Sequence, residues 1–378
     1  MQFIPAFDLN IKTFLFLILA IAALIQLLYS LLIHARLAFH KKTSFSDETK
    51  WAAVSVIIAA RNESENLYEN LPLILEQHYP EFEVIVVNHQ STDDSSYLLN
   101  AYASQYNNLK IIEVAKSKHL KPGKKLPITI GIKGAKYDYL VLTDADCKPS
   151  SRNWLKHISK NLMNDKELVI GYSPYQYKKG ILNKIIRFDT AWIGINYLSM
   201  ALAKIPYMSV GRNLAYTKNL FESVNGFKSH YAVPSGDDDL YIQDAAKKNN
   251  YSICVEPDSF MISSPHESYS GWIRQKTRHF STSSHYKVFK KLLLGIYPLT
   301  LLMMYISFII LLCDEEYRWL SLSIFLFTTI IKWWIQGLCL KKLEGDKFIP
   351  FIPLWDIFYA ILMPILFYTT DKKETVKW

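Results

Sequence analysis

The residues best suited to chemistry are three groups of polar side chains spread along the middle of the chain. Asp144-Ala145-Asp146 follows the apolar run Tyr139–Thr143 (YLVLT). If strand alternation persists through it, Asp144 and Asp146 project to one side and Ala145 to the other. Two neighbouring carboxylates repel and lose hydration, so a cation is expected to compensate. Hard oxygen ligands suit Mg2+ or Mn2+ and leave positions for water and phosphate oxygens. The competing reading is a solvated turn. An EF-hand-like calcium loop fits less well, because Lys148 and Pro149 stand where that loop needs an oxygen ligand and Gly. The second group is Ser235-Gly236-Asp237-Asp238-Asp239. It is either a helix N-terminus, where anions are favoured, or the source of a general base whose pKa its neighbours raise. The third runs from Trp272 through Gln275, Lys276, Arg278 and His279 to Phe280. Either this helix lies on a membrane surface, or Gln275 and Arg278 face substrate and stabilise diphosphate oxygens. His266, after Pro265, could assist a metal.

The elements that would position these groups alternate. Val54–Ala59 (VSVIIA), Glu83–Val87 (EVIVV), Leu109–Val114 and Tyr139–Thr143 read as strands. Helical patterns separate them, among them one with Leu67, Leu71, Ile74 and Leu75 at helix spacing and one over Lys124–Lys136. Such alternation predicts an α/β fold with a doubly wound, mostly parallel sheet, its ligand at the carboxyl ends of the strands. Arg61-Asn62-Glu63-Ser64 and Asn88–Asp94 are the polar turns at two of those ends. Asn62-Glu63-Ser64 matches a glycosylation sequon, read as accidental in such a turn. Ile181–Ile205 is apolar and aromatic: either a core helix or a membrane-facing acceptor surface. Lys116, Lys118, Lys121, Lys124 and Lys125 form a basic loop, either solvated or meeting diphosphate or lipid head groups.

The two ends carry the apolar excess. Of 378 residues, 50% are hydrophobic and 20% charged, and the mean hydropathy is +0.05. That excludes a disordered chain and suits membrane segments around a soluble middle. Phe14–Ile33 lacks charge and is long enough to cross about 30 Å of hydrocarbon. It reads as an uncleaved anchor, not a signal peptide. Arg36, His40, Lys41 and Lys42 follow it, which predicts a cytoplasmic middle region. Leu292–Leu312 and Trp319–Leu340 read as an outward and an inward helix, with Lys332 either snorkelling or facing a partner helix. Phe348–Tyr368, interrupted by Pro350, Pro353, Asp356 and Pro364, is either spanning or re-entrant. The expected division is an anchor over 1–42, a cytoplasmic domain over 43–270, an interfacial amphipathic segment over 271–291 and a membrane region over 292–378. The net charge of +9 suits anionic lipid, and no nucleic-acid partner is expected. Four scattered cysteines make neither a disulfide framework nor a zinc site.

Taken in order, VSVIIAARNES, the STDDS loop, TDAD, GRNLAYTKNLFESVNGF, GDDD and Gln275-x-x-Arg278-His279 resemble the membrane-bound glycosyltransferases of family 2. The enzymes are similar to ceramide-glucosyltransferase-like and polysaccharide-synthase-like members. The resemblance covers about Val54 to Phe280. It implies a GT-A fold and inverting transfer from a nucleotide-sugar, with a UDP-sugar expected. The acceptor would be a lipid, a lipid-linked glycan or a polysaccharide. It also implies an integral membrane protein, in a bacterial inner membrane, with a cytoplasmic catalytic domain. Carried over by residue, Asp144 and Asp146 hold the diphosphate through Mg2+ or Mn2+. Asp238 matches the catalytic base, and Gln275 and Arg278 the motif near acceptor and pyrophosphate. Ala60, Arg61 and Glu63 lie where the family contacts nucleobase and ribose. The sequence departs from the family at Asn88, where an acid is usual; Asn88 can still bond a base edge. It departs again at His279, where Trp is usual. A non-catalytic scaffold would be expected to have lost the acidic residues, and a transporter to carry paired intramembrane charges.

Overall fold

In a computed structural model, residues 10–41, 51–115, 123–163 and 166–369 are described. They form two compact units, one from the two ends of the chain (10–40 and 287–369) and one from its middle (41–286). Lys116, Lys118 and Lys121 lie outside the described residues.

The first unit begins with α1 (Ile11–Tyr29), capped by Asn10, whose Oδ1 accepts from the Lys12 and Thr13 amides at 3.0 and 2.9 Å. A π-helical turn at Ser30–His34 carries it into α2 (Ala35–Ala38). The helical run exceeds the expected span because Asn10 starts it early and the π turn lets it continue beyond Ile33.

The middle unit is built on a seven-stranded sheet. In chain order its elements are β1 (Val54–Ala60), α3 (Ser64–Leu75), β2 (Phe82–His89), α4 (Ser95–Ala103), β3 (Leu109–Val114), α5 (Lys125–Gly134) and β4 (Tyr139–Asp144). After these come β5 (Cys147–Pro149), α6 (Trp154–Met163), β6 (Leu168–Gly171), α7 (Ile181–Leu202), β7 (Leu214–Thr217) and α8 (Lys218–Ser223). The unit closes with α9 (Asp239–Ala245), β8 (Tyr251–Cys254), β9 (Met261–Ser263) and α10 (Tyr269–Ser283). The strand order is β3-β2-β1-β4-β7-β6-β8, and β7 alone runs antiparallel to its neighbours. Strands buried on both faces read as continuous apolar runs, which is why β1, all seven of its residues buried, was legible locally. Helix α7 is a core helix, with Phe188, Ile195, Leu198 and Met200 nearly inaccessible. A separate two-stranded ladder pairs β5 with β9 antiparallel.

The C-terminal part of the first unit contains α11 (Val288–Leu312), α12 (Arg318–Lys342) and α13 (Ile352–Thr369), the last entered through a 3-10 turn at Asp346–Phe351. Among the described residues four helical segments are long and apolar enough to cross a membrane: Ile11–Ala38, Val288–Leu312, Arg318–Lys342 and Asp346–Thr369. Lys332 does not snorkel. It faces partner helices, pairs with Asp356 at 3.1 Å and donates to Gln26 Oε1 at 2.5 Å. Tyr297 donates to the same Asp356 oxygen at 2.8 Å, so the buried pair and its partners draw on four helices, α1, α11, α12 and α13.

Candidate active site

The carboxyl ends of β1 and β2 are laced together through short side chains. Asp93 accepts from the Ser64 amide at 3.0 Å and the Ser95 amide at 3.1 Å, so one carboxylate serves the starts of both α3 and α4. Burial opposes its charge, yet the hydrogen bonds from Ser95 and Ser64 hold the carboxyl below its ordinary range. Asn62, at φ +55°, accepts from the Thr92 amide at 2.7 Å. Ala60 is buried at the end of β1, opposite Asn88 in the register. Arg61 is half-buried and, with burial, lowers the pKa of His89. Glu63 faces the Asp144–Asp146 pair: burial raises its pKa and both aspartates add to the rise, although the Asn66 amide donates to it at 2.6 Å.

Asn88 is engaged within the protein. Its amide nitrogen donates to Ser96 Oγ (2.7 Å) and Glu113 Oε1 (3.1 Å), and its oxygen accepts from Ser91 Oγ (2.5 Å). Both amide hydrogens are used within the protein, so Asn88 organises the loop, and its oxygen keeps acceptor capacity.

Asp144 closes β4, but Ala145 and Asp146 form a turn before β5. Strand alternation therefore does not aim Asp146; the turn and the β5–β9 ladder do. Ser263 Oγ donates to Asp146 Oδ2 at 3.3 Å, and the Asn70 amide holds the Ala145 carbonyl at 3.0 Å. Asp144 is ion-paired with Lys124 at 2.7 Å. Burial alone would raise its pKa, but Lys124, Arg212 and Arg278 hold it below the ordinary carboxylate value.

The second acidic cluster is split in function. Gly236 has φ +95°, and a Cβ there would come within 2.7 Å of Leu240, so glycine is required at this turn. Lys125 Nζ fastens the preceding loop through the carbonyls of His230 (2.5 Å) and Val233 (2.9 Å). Asp239 is structural. It accepts Thr282 Oγ1 at 2.5 Å and Tyr286 OH at 2.7 Å on one oxygen and the Leu240 amide at 2.8 Å on the other. Asp238 accepts from the Gly211 amide at 2.9 Å and the Asp239 amide at 2.7 Å. Burial, then the charge of Asp239, pushes Asp238 up to about 6; burial, then Asp238, does the same for Asp237. Asp144 adds to both rises, which brings the two acidic clusters to one locus.

Helix α10 completes that locus. Gln275 Nε2 donates to Tyr175 OH at 2.8 Å. Lys276 reaches both Asp189 oxygens, at 2.7 and 2.8 Å, and pins α10 to α7. Trp272 is buried with it, so this face of α10 packs into the protein. Arg278 Nε is buried without a hydrogen-bond partner among the described residues. Desolvation by the surrounding protein, together with the charges of Arg278, Lys276, Arg212 and Lys124, pushes the His279 pKa well down. His266 lies within electrostatic reach of Asp146; burial lowers its pKa. Sequence reasoning gave no role to Gly211, Arg212 or Tyr175 and left Lys124 in a basic loop. Their placement depends on non-local pairings; the one local signal was the Gly-Arg-Asn stretch before β7.

The donor set at Asp144 and Asp146 is hard oxygen. Among the described residues no group of three or more His, Cys, Asp or Glu could hold a metal ion by itself. Asp144, paired with Lys124, and Asp146, bonded to Ser263, keep carboxylate oxygens that fit a divalent cation sharing the site with a phosphate, which the neighbouring cationic side chains also suit.

Residues 55–219 match the family model "Glycosyl transferase family 2", and residues 141–369, more than half of the chain, match "Glycosyl transferase family group 2". Among curated relatives, Probable glycosyltransferase YdaM of Bacillus subtilis is 26% identical over 247 residues, 63% of this chain and 56% of the relative. Poly-beta-1,6-N-acetyl-D-glucosamine synthase of Staphylococcus epidermidis is 28% identical over 149 residues, 39% of this chain and 35% of the relative. The chain thus spans from about a third to somewhat over half of these relatives. Among solved structures, mannosyltransferase PcManGT of Pyrobaculum calidifontis, in complex with GDP-Man and Mn2+, aligns with TM-score 0.57 at 19% identity, covering 89% of this chain and 99% of that one. That likeness concerns the fold, which is GT-A. With its sheet, its acidic clusters and more than half its length matched, the chain belongs to family 2 of the glycosyltransferases.

Proposed function

We propose that the protein transfers a sugar, with inversion, from a nucleotide-sugar to a lipid or lipid-linked acceptor at the cytoplasmic face of a bacterial inner membrane. The acceptor hydroxyl gives its proton to Asp238 as its oxygen bonds to the anomeric carbon, and the bond from that carbon to the diphosphate breaks. Asp238 suits this task because it is half-buried, oriented by the Gly211 amide, and pushed up to about 6 by desolvation and Asp239, close to a working pH. That placement, in electrostatic reach of Asp144, is the observation that carries the reading. Asp144 and Asp146 would hold Mg2+ or Mn2+, which neutralises charge on the departing diphosphate. Arg278 adds fixed positive charge toward the same oxygens. Glu63 and Arg61 bound the nucleoside side. A UDP-sugar is the expected donor; PcManGT, bound to GDP-Man, makes GDP-sugars the first comparison.

Membrane placement is supported by the apolar helical segments, and orientation by Arg36, His40 and Lys41 after α1. A processive polysaccharide synthase is the second reading, favoured by the names of the Staphylococcus relatives. The test is a panel of UDP- and GDP-sugars with Mg2+ or Mn2+, read as released diphosphate with and without membrane lipid. Lipid-stimulated release with a product one sugar heavier than its acceptor supports the reading. A ladder of masses supports polymerisation, and no release from any donor contradicts both.

A further inference from the structure

Arg212 has no assigned part in the reaction, yet its position is tightly determined. It lies in a one-turn 3-10 segment, Gly211–Asn213, anchored on both sides. The Gly211 amide is bonded to Asp238. Asn213 is fully buried; it accepts from Trp154 Nε1 at 3.0 Å and donates to the carbonyls of Tyr172 and Ser259, both at 2.8 Å. The Arg212 guanidinium stacks on Tyr175, 4.6 Å from the ring centroid, and Tyr175 is itself held by Gln275.

The charges of Asp144 and Asp146 reach this guanidinium, but neither forms an ion pair with it among the described residues. Asp144 takes Lys124 instead, and Asp146 takes Ser263 and Cys147. A guanidinium held over the Tyr175 ring, within electrostatic reach of two carboxylates and ion-paired with neither, is available to a phosphate. Its planar fork matches phosphate oxygens, which a flexible ammonium meets only as a point charge. We infer that Arg212 clamps the diphosphate of the donor directly, so that part of nucleotide affinity does not depend on the metal. The inference rests on the nucleotide-sugar reading above and adds a residue to it. Tyr175 and Gln275 act through Arg212 as positioning residues.

The test is equilibrium binding of UDP and GDP to the detergent-solubilised full chain, with Mn2+ and with EDTA, using uridine and guanosine as phosphate-free controls. The wild-type protein is expected to retain binding of the preferred diphosphate in EDTA. Arg212→Ala should weaken it at least tenfold in both conditions and leave the matching nucleoside within twofold. Arg212→Lys, which keeps the charge, should still lose severalfold, and it carries the test if the alanine variant fails to fold. Diphosphate affinity within twofold of wild type in folded Arg212→Lys and Arg212→Ala overturns the inference while leaving the transferase reading intact. An equal loss for nucleoside and diphosphate also overturns it, by showing a structural role. If the wild-type protein binds neither diphosphate with Mn2+, the nucleotide-sugar reading itself fails and the inference with it.

Discussion

Asp237, Asp238 and Asp239 are identical in type and adjacent in sequence, yet the fold gives them different work. Asp239 spends its oxygens on Leu240, Thr282 and Tyr286, whereas Asp238, among the described residues, accepts only from the Gly211 and Asp239 amides. Sequence supplied the cluster and the choice of Asp238; it could not show Asp239's partners, which lie more than forty positions away. The raised values of Asp237 and Asp238 set a pH signature. A base acts deprotonated, so kcat/KM should fall as pH drops through about 6 and level off above it. An acidic limb near 4 would remove the perturbed carboxylate from the rate. The same shift bears on stability. A carboxyl whose folded pKa lies above its unfolded value favours the fold below about 4, and that contribution is lost as pH rises through about 6. Asp238→Asn should therefore raise the melting temperature at pH 8; a lower one contradicts the account. Asp144→Ala should weaken Mn2+-dependent binding of nucleoside diphosphate at least tenfold in calorimetry, and unchanged titration would exclude Asp144 as a ligand.

At the scale of elements, β1 to β4 lie within about two residues of where their apolar runs predict them. The short strands β5 to β9 did not show in the sequence. Stretches such as LVIG, LAYT and YSIC are fixed by their ladder partners, with too few residues to show a period of their own. That is also why the means of aiming Asp146 was not legible: the ladder that turns it pairs Cys147 with Ser263, over a hundred positions later. Two devices can be tested at this scale. Asp93→Ala removes a cap shared by α3 and α4 and should cost about 1–2 kcal/mol in denaturant unfolding; no loss would contradict the shared cap. Lys332→Met leaves Asp356 buried and unpaired and should destabilise by about 3–5 kcal/mol, whereas adding Asp356→Leu should recover much of that. Equal destabilisation by the single and double variants would show that the pair is not the cause.

For the whole molecule, the order of motifs and the apolar ends were enough to give family, sheet type and the helices long and apolar enough to cross a membrane. The reversed strand β7 and the convergence of Lys124, Tyr175 and Arg212 were not legible, because they follow from sheet order and crossovers that one sequence does not display. The central claim is a division of labour in one cleft, with Asp144 and Asp146 holding the donor and Asp238 taking the acceptor's proton. It is tested most directly by single-turnover transfer in Asp238→Asn, with donor affinity measured on the same preparation. The account predicts donor binding within about twofold of wild type and transfer slowed by about 10²–10⁴-fold. Transfer at a rate comparable to wild type would contradict it.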